Sequence, residues 1–199
     1  FGKEWLMAGL TFKPYATGTM NQPYIDCALR LAKKGFAPGE VAEVLCETAE
    51  GYVHRLWEPL AAKQRPPNAY AAKFSTPFNI AVAFVTGTAG LEAFSERTVA
   101  DASVLALADK VRYRVDPENP YPTRYTGHVR MTLKDGRVFE ERQPHIRGGA
   151  QEPLSRAEIE RKFRGNAAYG GWQPSLAEEF LVFARKAFDE KLDLAPFRR

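Results

Sequence analysis

The sequence is short of the residues from which metal and redox sites are built. Its 199 residues include two cysteines, Cys27 and Cys46, and three histidines, His54, His128 and His145. The histidines are far apart, none stands in an HExxH arrangement, and neither cysteine belongs to a CxxC pair. The ligand spacing of a metal site is therefore missing, and no metal is expected. Two scattered cysteines with no secretory signal ahead of them argue against a disulfide framework and for a reduced, cytoplasmic setting. There is no Walker loop and no GxGxxG fingerprint, which removes local support for a nucleotide phosphate. No window approaches the roughly 18 consecutive apolar residues of a membrane helix, so no membrane span is expected. Neither an internal repeat nor a low-complexity tract occurs.

What remains is the composition of a globular protein, 45% hydrophobic and 26% charged. The net charge of +4 is mild and suits anionic metabolites or weak polyanion contact. Basic clusters at Arg30-Lys33-Lys34 and Arg161-Lys162-Arg164 sit on helices whose other face is apolar, and Arg198-Arg199 closes the chain. The apolar opposite faces make the first two read as solvated helix faces, and nucleic acid, which aromatics interleaved with the basic groups would support better, is not an expected partner. The chain opens on Phe1 rather than Met, and FGKEWLMAGL has no leader character, which predicts that a segment upstream is removed, disordered or carried elsewhere.

Apolar Ile25, Ala28, Leu29 and Ala32 recur at helical spacing. Asn21 or Gln22 stands near the cap, Pro23 in the first turn and Gly35 at a left-handed stop. Residues Gly39 to Thr48 alternate as a strand, with Ala42, Val44 and Cys46 on one side. KQRPPN, residues 63–68, reads as a loop before a buried helix running from Phe74 to Val85 with Pro77 in its first turn. Ser95 and Thr98 are candidate caps for a helix through Val99, Ala102, Leu105 and Ala106, and VRYRV follows as a strand. After the proline-rich loop DPENPYPT, HVRMTL and RVFEER flank Lys134-Asp135-Gly136 as a β-hairpin, since Asp and Gly both tolerate positive φ. Beyond Gly148 the pattern turns helical. Ser155…Glu158 and Ser175…Glu178 read as two capping boxes, followed by Ile159 and Phe163, and by Leu181, Ala184 and Phe188. The fold class is α+β: a body of helices packed on a small, largely antiparallel sheet, then a helical tail.

The segment richest in chemistry is Phe12 to Asp26, FKPYATGTMNQPYID. One lysine is followed by hydroxyl-bearing residues and a glycine immediately before a helix. Such a loop can gather Lys13, Tyr15, Thr17, Thr19 and backbone N–H groups around a carboxylate, or simply cap the helix that follows. His145 beside Arg147, after the hairpin, could reach an anion or could stand solvated in a loop.

FxxxWLMAGLTFKPYATGT…IDCALRLAKKG resembles the "fKpyP-C…H-aiDa" segment of the MmgE/PrpD family of 2-methylcitrate dehydratase-like proteins. AAKFSTPFNIAVAFVTG is similar to its "akFSlpYavA..l..G", LKDGRVFEE to its "v.l.dGr.." hairpin, and GGAQEPLSRAEIERKFRGNA to its "G.p.nPls..el..KF..la". The matches occur in order over nearly the whole chain and correspond to the C-terminal part of such proteins. The resemblance implies a connector at 1–11, an α+β lid domain at 12–148, and C-terminal helices at 149–199 that pack on an all-α domain absent from this chain. It also implies a cofactor-independent lyase or epimerase that dehydrates, decarboxylates or epimerises a small di- or tricarboxylate. In that scheme Lys13 is the catalytic candidate and carboxylate anchor, with Tyr15, Thr17, Thr19, Gln22 and Ser75 as hydrogen-bonding residues. Gly18 or a neighbouring threonine, Gln22 and Phe78 stand where the family carries two histidines and a tyrosine, and none of these titrates near neutral pH. Two readings follow: half of a split enzyme whose partner supplies the helical domain, or a noncatalytic assembly or anion-binding subunit. Trp172, Phe180, Leu181, Phe183 and Phe188 predict an apolar tail that dimerises or binds a larger helical chain.

Overall fold

The computed structural model describes residues 2–3, 6–187, 189, 191 and 193–197. The expectations placed on Phe188, Arg198 and Arg199 lie outside the described residues. By internal contacts the chain divides into two compact units, 1–154 and 155–199.

In the first unit a four-stranded sheet has the order β2-β1-β3-β4, from β1 (Val41–Thr48), β2 (Val111–Val115), β3 (Gly127–Leu133) and β4 (Val138–Gln143). β1 runs parallel to β2 and antiparallel to β3, and β3 and β4 form the hairpin. Its turn uses positive φ at Gly136 alone, at 88°. Asp135 instead accepts from the Arg137 N–H through its side chain. The inner face carries Val44, Cys46, Val129 and Met131, all fully buried. Ala42 does not join it: a register irregularity between Val41 and Glu43 interrupts the alternation, leaving Ala42 exposed and Val41 buried.

Helix α1 (Gln22–Ala32) lies against β3, β4 and α4 (Thr76–Thr86), and α4 in turn packs on α6 (Ala102–Ala108). α1 is buried more widely than its apolar stripe implies, with Tyr24, Cys27 and Leu31 inaccessible, because sheet and α4 contact it from different sides. Gly35, at φ 83°, follows its last turn as expected. Ser75 caps α4 by accepting from the Phe78 N–H at 3.1 Å, with Pro77 in the first turn. The expected helix after Ser95 is two: α5 (Glu96–Val99), capped by Ser95, and α6, capped by Asp101 rather than Thr98. The break rotates the register, so α6 buries Val104, Leu107 and Ala108 and exposes Ala102 and Ala106. Two short helices, α2 (Leu60–Gln64) and α3 (Ala69–Ala72), flank the proline loop, and a wide π-type turn at Val53–Trp57 carries Leu56 and Trp57 into the core.

The outer face of the sheet holds a charged ladder. Arg114 and Arg142 bond the Glu47 carboxylate at 2.5 and 2.7 Å. His128 accepts from the Glu47 N–H at 3.2 Å through Nδ1, so Nε2 carries the hydrogen facing Glu140 at 3.0 Å. Burial lowers the His128 pKa, while the Arg142 hydrogen bond leads in pulling Glu47 down to about 2.

The second unit contains α7 (Arg156–Tyr169) and α8 (Pro174–Arg185). Ser155 and Glu158 form the expected capping box. The second box does not form, because Pro174 starts α8 a residue earlier, with Gln173 as N-cap, and Glu178 pairs with Arg164 instead. Phe163, Trp172, Phe180, Phe183 and Phe197 pack on one another with centroid spacings of 5.0 to 6.1 Å, while Ile159 and Val182 remain exposed.

Candidate functional site

The loop from Phe12 to Asn21 is stitched to three other parts of the first unit. The Phe12 N–H donates to Gly148 O at 3.0 Å, the Ala16 N–H to Ala89 O at 3.1 Å, and the Gly18 N–H to Lys73 O at 3.0 Å. These bonds place the loop between the turn after β4 and the entrance to α4.

Two polar centres form along it. In the first, the buried Tyr15 hydroxyl donates to Oδ1 of Asp26, on the second turn of α1, and accepts from Nη1 of Arg147 at 3.1 Å. Arg147 Nη1 also stands 3.5 Å from the same Asp26 oxygen. Asp26 is 4% exposed, and its Oδ2 has no hydrogen-bond partner among the described residues. Burial raises the Asp26 pKa, opposed by the Tyr15 hydrogen bond and by the charges of Arg147 and Arg30. Burial and the Asp26 charge together drive the Tyr15 pKa up, so the phenol keeps its proton. In the second centre Lys73 O also accepts from Thr17 Oγ1 at 2.6 Å and Asn21 Nδ2 at 3.1 Å, while Thr76 Oγ1 donates to Asn21 Oδ1 at 2.6 Å. The side chain of Asn21, the N-cap residue of α1, thus ties the starts of α1 and α4 together instead of capping its own helix.

Gln22 lies between the centres, next to Asn21 and one helical turn before Asp26. It is fully buried, and neither atom of its carboxamide has a partner among the described residues. A buried amide left unbonded costs roughly 1–3 kcal/mol, which marks this helix face as unusual. Lys13 is exposed and forms no hydrogen bond or ion pair among the described residues. Thr19 opens a short 3₁₀ turn, and its hydroxyl is likewise unbonded among them.

The expected residues therefore differ in what they can offer. Tyr15 spends its proton on Asp26, Thr17 on Lys73 O, and Ser75 on Lys63 O. Lys13, Thr19 and Gln22 retain donors the fold does not use. Phe78 is fully buried in the core, 6.4 Å from the Phe94 ring between centroids. His145 is half-buried, and its carbonyl accepts from Gln143. Sequence reasoning gave Asp26 no role and Asn21 only that of a candidate cap, although Asp26 is four residues from Gln22 and hence on the same helix face. Arg147 meets Tyr15 across 132 residues, a separation with no local signature. Among the described residues no group of three or more His, Cys, Asp or Glu could hold a metal ion, and no helix is long and apolar enough to cross a membrane.

A model of the MmgE/PrpD C-terminal domain matches residues 15–183, from Tyr15 of the first centre through most of α8. The chain belongs to the MmgE/PrpD family. Cis-aconitate decarboxylase of Mus musculus is 30% identical over 105 residues, which cover 52% of this chain and 21% of that protein. Cis-aconitate decarboxylase of Homo sapiens is 29% identical over 104 residues, covering 52% and 22% respectively. The matched stretch thus spans about a fifth of these curated relatives.

Proposed function

We propose that this chain is the C-terminal part of a lyase or isomerase acting on a small di- or tricarboxylate. The chemistry is removal of a proton beside a carboxylate, leading to decarboxylation, dehydration or epimerisation, and a helical domain outside this sequence completes the pocket. The observation that carries the reading is Lys13: an exposed amine, unpaired among the described residues, on a loop held at Phe12, Tyr15 and Ala16. A fixed cation of this kind anchors a carboxylate and stabilises the negative charge that grows on it as the adjacent proton leaves. Thr19 supplies a neutral donor beside the start of α1, where Gln22 is fully buried and out of a ligand's reach, and Asp26, Tyr15 and Arg147 form the polar floor. The base comes from the helical domain, since Gly18, Gln22 and Phe78 cannot transfer a proton near neutral pH. Cis-aconitate, the substrate in the name of the two relatives, is the first compound to test.

The assay is turnover of cis-aconitate and related di- and tricarboxylates by this chain assembled with its helical domain. Lys13→Ala is expected to abolish turnover while leaving assembly intact, and unchanged turnover rejects the role given to Lys13. A second reading, a noncatalytic anion-binding or assembly subunit, is favoured by those same three replacements. It predicts binding without turnover in the complete assembly. The exposed Ile159 and Val182 of the second unit support association with another helical surface or a second copy in either case.

A further inference from the structure

We propose that Asp26 and Arg147 are positioning residues for Lys13, acting through the Tyr15 hydroxyl that both engage. The proposal rests on the reading of Lys13 as a carboxylate anchor and explains how a loop lysine acquires a fixed place.

Lys13 precedes Pro14, and a residue before proline is confined to extended backbone. On one side its neighbour Phe12 is bonded to Gly148 O, and on the other Ala16 is bonded to Ala89 O. Between these anchors the segment has one side-chain hydrogen-bond fastening among the described residues, the Tyr15 hydroxyl, gripped by Asp26 from α1 and Arg147 from the turn after β4. The turn is itself tied to α1. Arg30 Nη1 donates to Gln143 Oε1 at 2.7 Å, Gln143 Nε2 donates to His145 O and Glu152 Oε2 at 2.8 and 2.6 Å, and the Gly148 N–H donates to Glu152 O at 2.6 Å. Helix α1 thereby sets both jaws, Asp26 directly and Arg147 through Gln143 and Glu152. A buried carboxyl with one oxygen lacking a partner among the described residues costs stability, and an apolar filling of the same volume would hold the fold as well. What the charged clamp adds is a single geometry for the Tyr15 side chain, and so for the lysine two residues before it.

The test uses this chain assembled with its helical domain, with Tyr15→Phe, Arg147→Ala, Arg147→Lys and Lys13→Ala. Two readouts are taken on each: amide hydrogen exchange at Phe12 and Ala16 relative to the β3 amides, and affinity for cis-aconitate as probe. Tyr15→Phe and Arg147→Ala are expected to speed exchange at Phe12 and Ala16 about tenfold without changing β3, and to weaken the probe about tenfold. Arg147→Lys, which keeps a donor for the hydroxyl, is expected to restore most of both. Lys13→Ala loses the probe with exchange unaltered. Exchange at the wild-type rate in Tyr15→Phe and Arg147→Ala overturns the clamp, as does faster exchange with affinity intact. If instead Lys13→Ala keeps the wild-type affinity, the carboxylate reading fails, and the exchange data still decide whether the clamp holds the loop.

Discussion

Replacing Gly148 by alanine probes the junction that holds the site together. Gly148 has φ 89°, and a Cβ there would lie 2.0 Å from the Phe12 carbonyl oxygen. The left-handed backbone alone costs a non-glycine residue about 1–2 kcal/mol. The contact cannot be accommodated, so the loop and the turn must part. That loses the Phe12 N–H bond to Gly148 O and strains the Gly148 N–H bond to Glu152 O, each worth about 0.5–1.5 kcal/mol. The total is about 2–5 kcal/mol. Gly136 is the matched control: its φ is 88° and a Cβ there meets nothing within 4 Å, so Gly136→Ala should cost only the backbone part, about 1–2 kcal/mol. Urea unfolding followed by circular dichroism, with slopes compared to confirm the same transition, measures both variants. Amide exchange at Phe12 reports whether the junction has opened. Equal destabilisation of the two variants, or an undisturbed Phe12 amide in Gly148→Ala, refutes the reasoning.

The two serines of the second unit make a contrasting pair: Ser155→Ala loses a working cap and should cost about 1 kcal/mol of helix stability, whereas Ser175→Ala, inside the first turn of α8, should stay within about 0.5 kcal/mol, both read by thermal loss of helical dichroism. On the outer sheet face, Glu47 has its pKa lowered from 4.5 to about 2, so its contribution is complete above about pH 4.5 and is lost as pH falls toward 2. Stability measured by urea unfolding at pH 2, 3, 4 and 5 should therefore show a difference between wild type and Glu47→Gln that shrinks with acid, and a difference constant over that range contradicts the assignment.

Local pattern made the hairpin, the ends of α1, Pro77 in the first turn of α4 and the box before α7 legible, because each is decided by a few adjacent residues. It failed where a distant element or a backbone irregularity decides. The bulge in β1 put Ala42 on the wrong face, Asp101 split one expected helix into two, and Pro174 moved the start of α8 away from Ser175. Leu56 and Trp57 reach the core on a π-type turn whose sequence gives no periodic signal. The site divides in the same way. Phe12 to Asp26 stood out as one segment, yet which of its donors are spent inside the fold, and whether that of Ser75 is, depends on Lys73 O, Asp26 and Lys63 O, met only after the chain has folded back. Arg147 drew attention as a neighbour of His145, but its engagement with Tyr15 needs the whole sheet between them.

If the Lys13 loop receives a small carboxylate, as proposed, the amide chemical shifts of the chain assembled with its helical domain and titrated with cis-aconitate will register it. Saturable shifts are expected, confined to residues 12–22 and 145–148 and absent in Lys13→Ala. No saturable shifts there, or the same shifts in Lys13→Ala, contradict it.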